Sequence, residues 1–284
     1  MPMLQPLTDW LMTPLAYNFM QRGMLAAVMV GVLCAILGCY VVLRSMAFLG
    51  DAMAHAVLPG VAIAYLLGGN LVFGALAAAV VVALGIGFFS RKGQIKEDTA
   101  IGILFTAALA LGIALISSIR TYAVDLSHIL FGNVLGVSET DLWITAILGG
   151  AILLATLLAY KPFLLISFDP VLAYTLRIPV EFFRTLMLIL LAFTIVISIQ
   201  SVGVGLVAAM LVTPGATAYL LTRRLPTMMV IAAIVGVVAS IVGLYASYYL
   251  NIASGAAIVL TATLCFLLAF LFAPGRGYVW QKLR

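Results

Sequence analysis

Apolar stretches long enough to cross a bilayer follow one another along almost the whole chain, separated by short polar joins. A hydrocarbon core about 30 Å thick needs roughly 20 helical residues. The first stretch covers residues 22–42 and ends at Arg44; the second covers 46–67 and contains Pro59 and Gly60. Gly68, Gly69 and Asn70 make a tight turn into a third stretch that ends near Phe89. A charged loop, 90–98, precedes the fourth at 99–118. Residues 120–141 are mixed and half-polar, and the fifth stretch is 142–160. Residues 161–184 hold three prolines and no run long enough to span, so a loop with one short helix is predicted. Asp169 is the predicted N-cap of that helix and Pro170 its first residue. The sixth to ninth stretches are 185–199, 204–221, 228–248 and 255–272. Nine crossings are expected, or eight if the short sixth is re-entrant.

The pattern predicts an all-α, polytopic membrane helical bundle. Composition agrees: 65% of the 284 residues are hydrophobic and 8% are charged, against about 25% charged in soluble domains. The organisation expected is an interfacial segment, 1–21, a single transmembrane domain, 22–273, and a tail, 274–284. The N-terminal segment has no basic region ahead of its apolar residues, so a cleaved signal peptide is not expected. The net charge of +5 would raise nucleic acid as a partner in a soluble protein. Here the basic residues sit in the gaps between spans, and membrane topology accounts for them without a nucleic acid. With the C-terminus inside, the inner loops receive 12 of the 14 basic residues and only Arg22 and Arg120 lie outside. The positive-inside rule therefore puts the N-terminus outside and residues 161–184 in the cytoplasm. Cys34, Cys39 and Cys265 lie within apolar runs and read as small core residues. Gly31, Gly38, Gly74, Gly85, Gly203 and Gly205 read as positions of close helix contact.

Asp51 and His55 change the picture. Four residues apart, they share one helix face. Asp51 comes seven residues after Arg44, which places it roughly 10 Å into the membrane along a helix. Ionisable groups there must face a protein interior, a polar path or a bound cation. Three readings compete: a mutually satisfied polar pair between helices, a proton relay, and ligands for a divalent metal ion. The third is favoured, because carboxylate with imidazole suits Mn, Fe and Zn. A symmetric homodimer would present the pair twice, giving four ligands around one ion. Pro59 has no N–H to give the His55 carbonyl, so a kink is predicted just beyond the pair.

His128, with Asp125 three residues before it, is either a ligand on the access path or a helix-end histidine. Glu97 and Asp98 read as favourable negative charge at the start of the fourth span. The chain lacks a GxxxxGK motif followed by Ser or Thr, so it carries no P-loop of its own, and it lacks HExxH. ATP-driven transport would need the ATPase on another chain.

The segment LRSMAFLGDAMAHAVLPGVAIAYLLG resembles the signature of the metal-ion ABC transporter permeases, which carry manganese, zinc or iron. NFMQRGMLAAVMVGVLCAILGCYVVLR, RKGQIKEDTAIGILFTAALALGI, VDLSHILFGNVLG and VGVGLVAAMLVTPGATAYLL extend the resemblance over essentially the whole chain. It implies a non-enzymatic transport subunit in a bacterial plasma or inner membrane. Its expected partners are a second permease copy or a sister permease, two cytoplasmic ATPase subunits, and an extracytoplasmic metal-binding protein. Asp51 and His55 match the metal-coordinating residues of the motif. No covalently bound cofactor is expected; the metal is cargo, with manganese favoured over zinc and iron. FDPVLAYTLRIP resembles the coupling-helix segment, placing the ATPase dock between Asp169 and Arg177. The family pattern there is FDPExAxxLGxP, so Val171 stands where an acid is usual and Arg177 where glycine is usual. Arg177 is expected to meet an acidic groove on the ATPase. Other readings of the chain are a secondary metal carrier working without an ATPase, and a membrane scaffold that transports nothing.

Overall fold

A computed structural model describes residues 12–91, 95–118, 134–274 and 277–278. His128, Asp125 and Arg120, with most of the predicted interfacial segment and tail, lie outside the described residues. The helices are α1 (Asn18–Leu43), α2 (Leu49–Ala56), α3 (Leu58–Leu66), α4 (Leu71–Phe89), α5 (Glu97–Ser117), α6 (Glu139–Leu158), α7 (Tyr160–Phe168), α8 (Pro170–Thr175), α9 (Val180–Val202), α10 (Val204–Leu221), α11 (Leu225–Leu250) and α12 (Ser254–Phe272). With α2 and α3 counted as one broken span, nine helical segments among the described residues are long and apolar enough to cross a membrane.

The central helix is α1, packed chiefly against α10 and α11. Of its most apolar window 67% is buried, against 22% for α5, α6 and α12, which present their apolar sides outward. In lipid, close backbone contact replaces the hydrophobic drive. Gly38 of α1 lies against the Leu211 carbonyl of α10, where a Cβ would collide with backbone, and Gly60 of α3 lies against Gly74 of α4 in the same way. Gly31 meets Gly236 and Ser240 of α11. Gly203 and Gly205 differ from expectation. Gly203, at φ 87°, is the break between α9 and α10, and a Cβ added at Gly205 would meet open space.

Helix ends follow local chemistry. Ser138 and Asp141 form a capping box at the start of α6: the Asp141 N–H donates to Ser138 Oγ at 3.1 Å, and the Ser138 N–H donates to Asp141 Oδ2 at 3.1 Å. At the end of α1 the Ser45 and Met46 N–H groups donate to the carbonyls of Val42 and Val41, and Ser45 is left-handed at φ 57°. This Schellman reversal starts the chain back towards α2.

The segment from 161 to 184 departs most from expectation. Residues 161–168 belong to α7 rather than to a loop, and the sixth span begins at Val180, not at residue 185. Two charges misled the sequence reading. Glu181 and Arg184 are inside the first turns of α9, where Glu181 accepts a hydrogen bond from the Tyr174 hydroxyl at 2.8 Å and Arg184 is ion-paired. The sixth span is therefore full length, and the reason for a re-entrant segment disappears. The short helix itself appears where predicted. Asp169 Oδ1 accepts from the Leu172 N–H at 2.9 Å, with Pro170 leading α8. It ends in a second Schellman motif, Ile178 N–H to the Ala173 carbonyl at 3.1 Å and Arg177 N–H to the Tyr174 carbonyl at 3.0 Å. Arg177 occupies its left-handed position at φ 58°. Glycine fits that position without strain, whereas an L side chain there is strained by about 1–2 kcal/mol.

Candidate metal site

The span carrying Asp51 and His55 is broken at Val57, between α2 and α3. Pro59 is the reason: it leaves the His55 carbonyl without its regular partner, and the Val57 N–H turns to that carbonyl instead. His55 thus ends a helix rather than continuing one. The space around Gly50 is bounded by Ala208 and Leu211, which lie in the body of α10. Gly50, the residue before Asp51, thus packs against α10.

Asp51 and His55 do share a face. His55 Nε2 lies 3.6 Å from Asp51 Oδ1, beyond hydrogen-bonding range, and both side chains are part-exposed at 32% and 49% respectively. They are therefore not a closed, mutually satisfied pair. Both line a cavity of about 1030 Å³ whose other walls include Leu135, Val202, Gly205, Ser247, Ser254 and Val259. The His55 ring is also near Phe105 of α5, at 6.2 Å between centroids.

The cavity walls come from helix ends: the close of α9, the start of α10, the close of α11 and the start of α12. Arg184 is near the opposite end of α9 from Val202, eighteen residues away and so roughly 27 Å along the axis. The cavity accordingly opens at the end of the bundle remote from Arg44, Arg184 and the other basic joins. Among the described residues no group of three or more His, Cys, Asp or Glu side chains converges on one point. Among the described residues, Asp51 and His55 are the two such groups on the cavity wall. Sequence spacing reveals the pair; the cavity, made by four distant helix ends, carries no local signal.

A sequence profile of the ABC 3 transport family matches residues 16–273. The chain belongs to this family. It is a multi-pass bacterial membrane permease, and ATP hydrolysis resides on a separate subunit. It is 52% identical over 270 residues to the manganese transport system membrane protein MntC of Halalkalibacterium halodurans, covering 95% of this chain and 92% of that protein. It is 45% identical over 259 residues to the chelated iron transport system membrane protein YfeD of Yersinia pestis, covering 91% and 87%. Among solved structures, PsaBC from Streptococcus pneumoniae in complex with Fab superposes with a TM-score of 0.84 at 41% identity, covering 97% of this chain and 99% of that one. A putative metal-chelate type ABC transporter in an inward-facing conformation shares the fold, with a TM-score of 0.69 at 17% identity.

One charged cluster escaped the sequence reading. Glu97 is in the first turn of α5, where its charge suits the helix dipole, but its carboxylate is also held by Arg44 Nη2 at 2.6 Å and Arg184 Nε at 3.3 Å. Arg44 caps α1 and Arg184 is in α9, so the partners are far apart in sequence. In the sequence each simply sits at the end of an apolar run.

Proposed function

We propose that this chain is the membrane permease of an ATP-driven importer of divalent metal ions, with manganese as its cargo. The observation that carries the reading is the placement of Asp51 and His55 together on one cavity inside the bundle. A hard carboxylate and a borderline imidazole suit Mn(II), Fe(II) and Zn(II) alike. The manganese assignment draws on the relatives named for manganese transport, which include ScaB of Streptococcus gordonii at 43% identity; the iron-transport relative keeps Fe(II) as the second candidate.

Two permeases facing each other would supply Asp51 and His55 twice, around one ion near the two-fold axis, with water or carbonyl oxygens completing the shell. The charge bias of the loops orients the N-terminus outside and the C-terminus inside. The cavity then faces outward, where an extracytoplasmic metal-binding protein would deliver the ion. On the inner side α8 is the dock for the ATPase. Val171 is 72% exposed there and Leu172, Tyr174 and Leu176 are exposed beside it, leaving apolar surface for a partner to cover. Closure of two ATPases on ATP would push the docks together, shut the outer cavity and open an inner path. The protein's own residues hold and release the ion without covalent chemistry.

The test is uptake into proteoliposomes containing the permease with its cognate ATPase and binding protein. Mn(II) flux should exceed Zn(II) and Fe(II) flux and stop with vanadate. A larger flux of another metal reassigns the cargo, and vanadate-resistant uptake replaces the ATP-driven reading with a secondary carrier. The dock has its own test. Among the described residues Arg177 makes no ion pair and is exposed. An interfacial charge reversal of about 1 kcal/mol corresponds to a roughly fivefold effect, so Arg177→Glu should lower coupled ATPase activity by about that factor. Arg177→Gly keeps the left-handed turn, relieves its backbone strain and removes the cation with the rest of the side chain. Unchanged activity in Arg177→Glu would remove Arg177 from the interface.

A further inference from the structure

We propose that Glu97 is a positioning residue for transport: it couples the α8–α9 segment to the reversal between α1 and α2 on which Asp51 stands. This inference rests on the transport reading above and assigns it a route. The connection is short and continuous. The α8 turn leads through Pro179, the N-cap of α9, to Val180. One turn further, Arg184 Nε contacts Glu97 Oε1 at 3.3 Å, and its Nη1 donates to the Ser90 carbonyl at the end of α4 at 3.4 Å. The other carboxylate oxygen, Glu97 Oε2, accepts from Arg44 Nη2 at 2.6 Å. Arg44 is the last residue before left-handed Ser45, and Asp51 follows in the first turn of α2. A single carboxylate thus ties together the ends of α1, α5 and α9, and through Arg184 also α4.

The group is largely buried, and its Arg184–Glu97 Oε1 contact is an ion pair rather than a hydrogen bond. The side chains of Arg44, Glu97 and Arg184 are 9%, 12% and 23% exposed. Among the described residues no other carboxylate pairs with either arginine. Displacing the start of α9 must therefore carry Glu97 and Arg44 with it, or strand a poorly hydrated guanidinium. The second course is costly, so the motion reaches Ser45, where the left-handed backbone already reverses the chain. The cluster also explains why a charged residue is tolerated in the first turns of α9. A purely structural staple would need two charges of opposite sign; the second arginine, from the helix that follows the partner-facing segment, is what makes the cluster a link between moving parts.

The test uses the assembled transporter and reads coupling rather than stability. Glu97→Gln keeps the side-chain shape and one hydrogen-bonding oxygen but removes the charge. In proteoliposomes, metal moved per ATP hydrolysed should fall roughly tenfold, in the range of an ordinary coupling free energy, while hydrolysis continues. A second readout needs no metal. Spin labels at Ile252, on the rim of the cavity in each permease of the pair, should change separation on adding ATP and vanadate in the wild-type background, and that change should be lost in Glu97→Gln. If the wild type moves no metal but its separation change is present and depends on Glu97, the transport reading fails while the Glu97 link between α9 and α1 stands. The inference is overturned if Glu97→Gln retains the separation change, if hydrolysis and transport fall in parallel, or if the wild type shows no nucleotide-driven change. A second variant, Arg44→Met/Glu97→Leu/Arg184→Met, fills the site with apolar side chains. It should assemble yet remain uncoupled; normal transport by it would reduce the cluster to a staple.

Discussion

Asp51→Ala and His55→Ala are each expected to lower metal uptake by about a hundredfold or more while leaving assembly with the ATPase intact. Losing a residue that merely orients a metal ligand already costs roughly 10–100-fold in affinity, and a direct ligand should cost no less. In a paired permease each substitution removes two of four side-chain donors at once. Neither change should unfold the bundle, because both side chains are part-exposed on the cavity and neither holds a hydrogen bond to the other at 3.6 Å. The measurement is uptake of Mn(II) in proteoliposomes, paired with metal content of the purified complex. Asp51→Asn sharpens it: the amide keeps one oxygen donor and loses the charge, so an intermediate loss is expected for a ligand. Uptake at wild-type level in all three variants would make the pair a polar contact between helices. Normal metal content with uptake that has lost only its pH dependence would favour the proton relay.

The membrane bundle was legible because its main signal is local. An apolar run of the right length is a helix in lipid, since no other isolated segment can satisfy its backbone there. The break near Pro59 and the capped start of α8 at Asp169 were legible for a similar reason: each depends on residues a few positions apart. The misplaced boundary of the sixth span came from charge. Glu181 and Arg184 read as loop residues because their partners, Tyr174 and Glu97, were invisible to a linear scan. Gly203 reads from the sequence as a packing residue, but its positive φ makes it the joint between α9 and α10. The candidate site divides in the same way. The i, i+4 spacing of Asp51 and His55 places two donors on one face without any tertiary information. The cavity that makes them accessible depends on Val202, Ser247 and Ser254 converging from separate spans. Nothing in local periodicity encodes that convergence. Arg177 is the instructive middle case. Its departure from the family pattern is visible in the sequence, but its consequence, a non-glycine residue held at φ 58° at the end of α8, is visible only in the backbone.

Glu97→Ala is expected to lower stability by about 3–5 kcal/mol, the usual result of deleting one member of a buried ion cluster. Among the described residues the Glu97 carboxylate is the only anion paired with Arg44 and Arg184, so its removal leaves two positive charges close together and poorly hydrated. The lost contacts of a single methylene and carboxylate cannot by themselves account for so large an effect. The triple apolar replacement offers the control: without charges to desolvate, it should recover most of the loss and unfold within about 1 kcal/mol of the wild type. The check is thermal or denaturant unfolding of the purified permease in one fixed lipid or detergent, with reversibility verified before a free energy is taken. A loss below about 1 kcal/mol in Glu97→Ala would mean that water reaches the carboxylate freely and the contacts behave as ordinary surface ion pairs. The two kinds of measurement then separate. Stability reports the charge balance, which apolar side chains can replace, whereas transport per ATP reports the connection between α9 and α1, which they cannot. A cluster retained only for stability would be expendable in the triple variant; one retained for coupling would not.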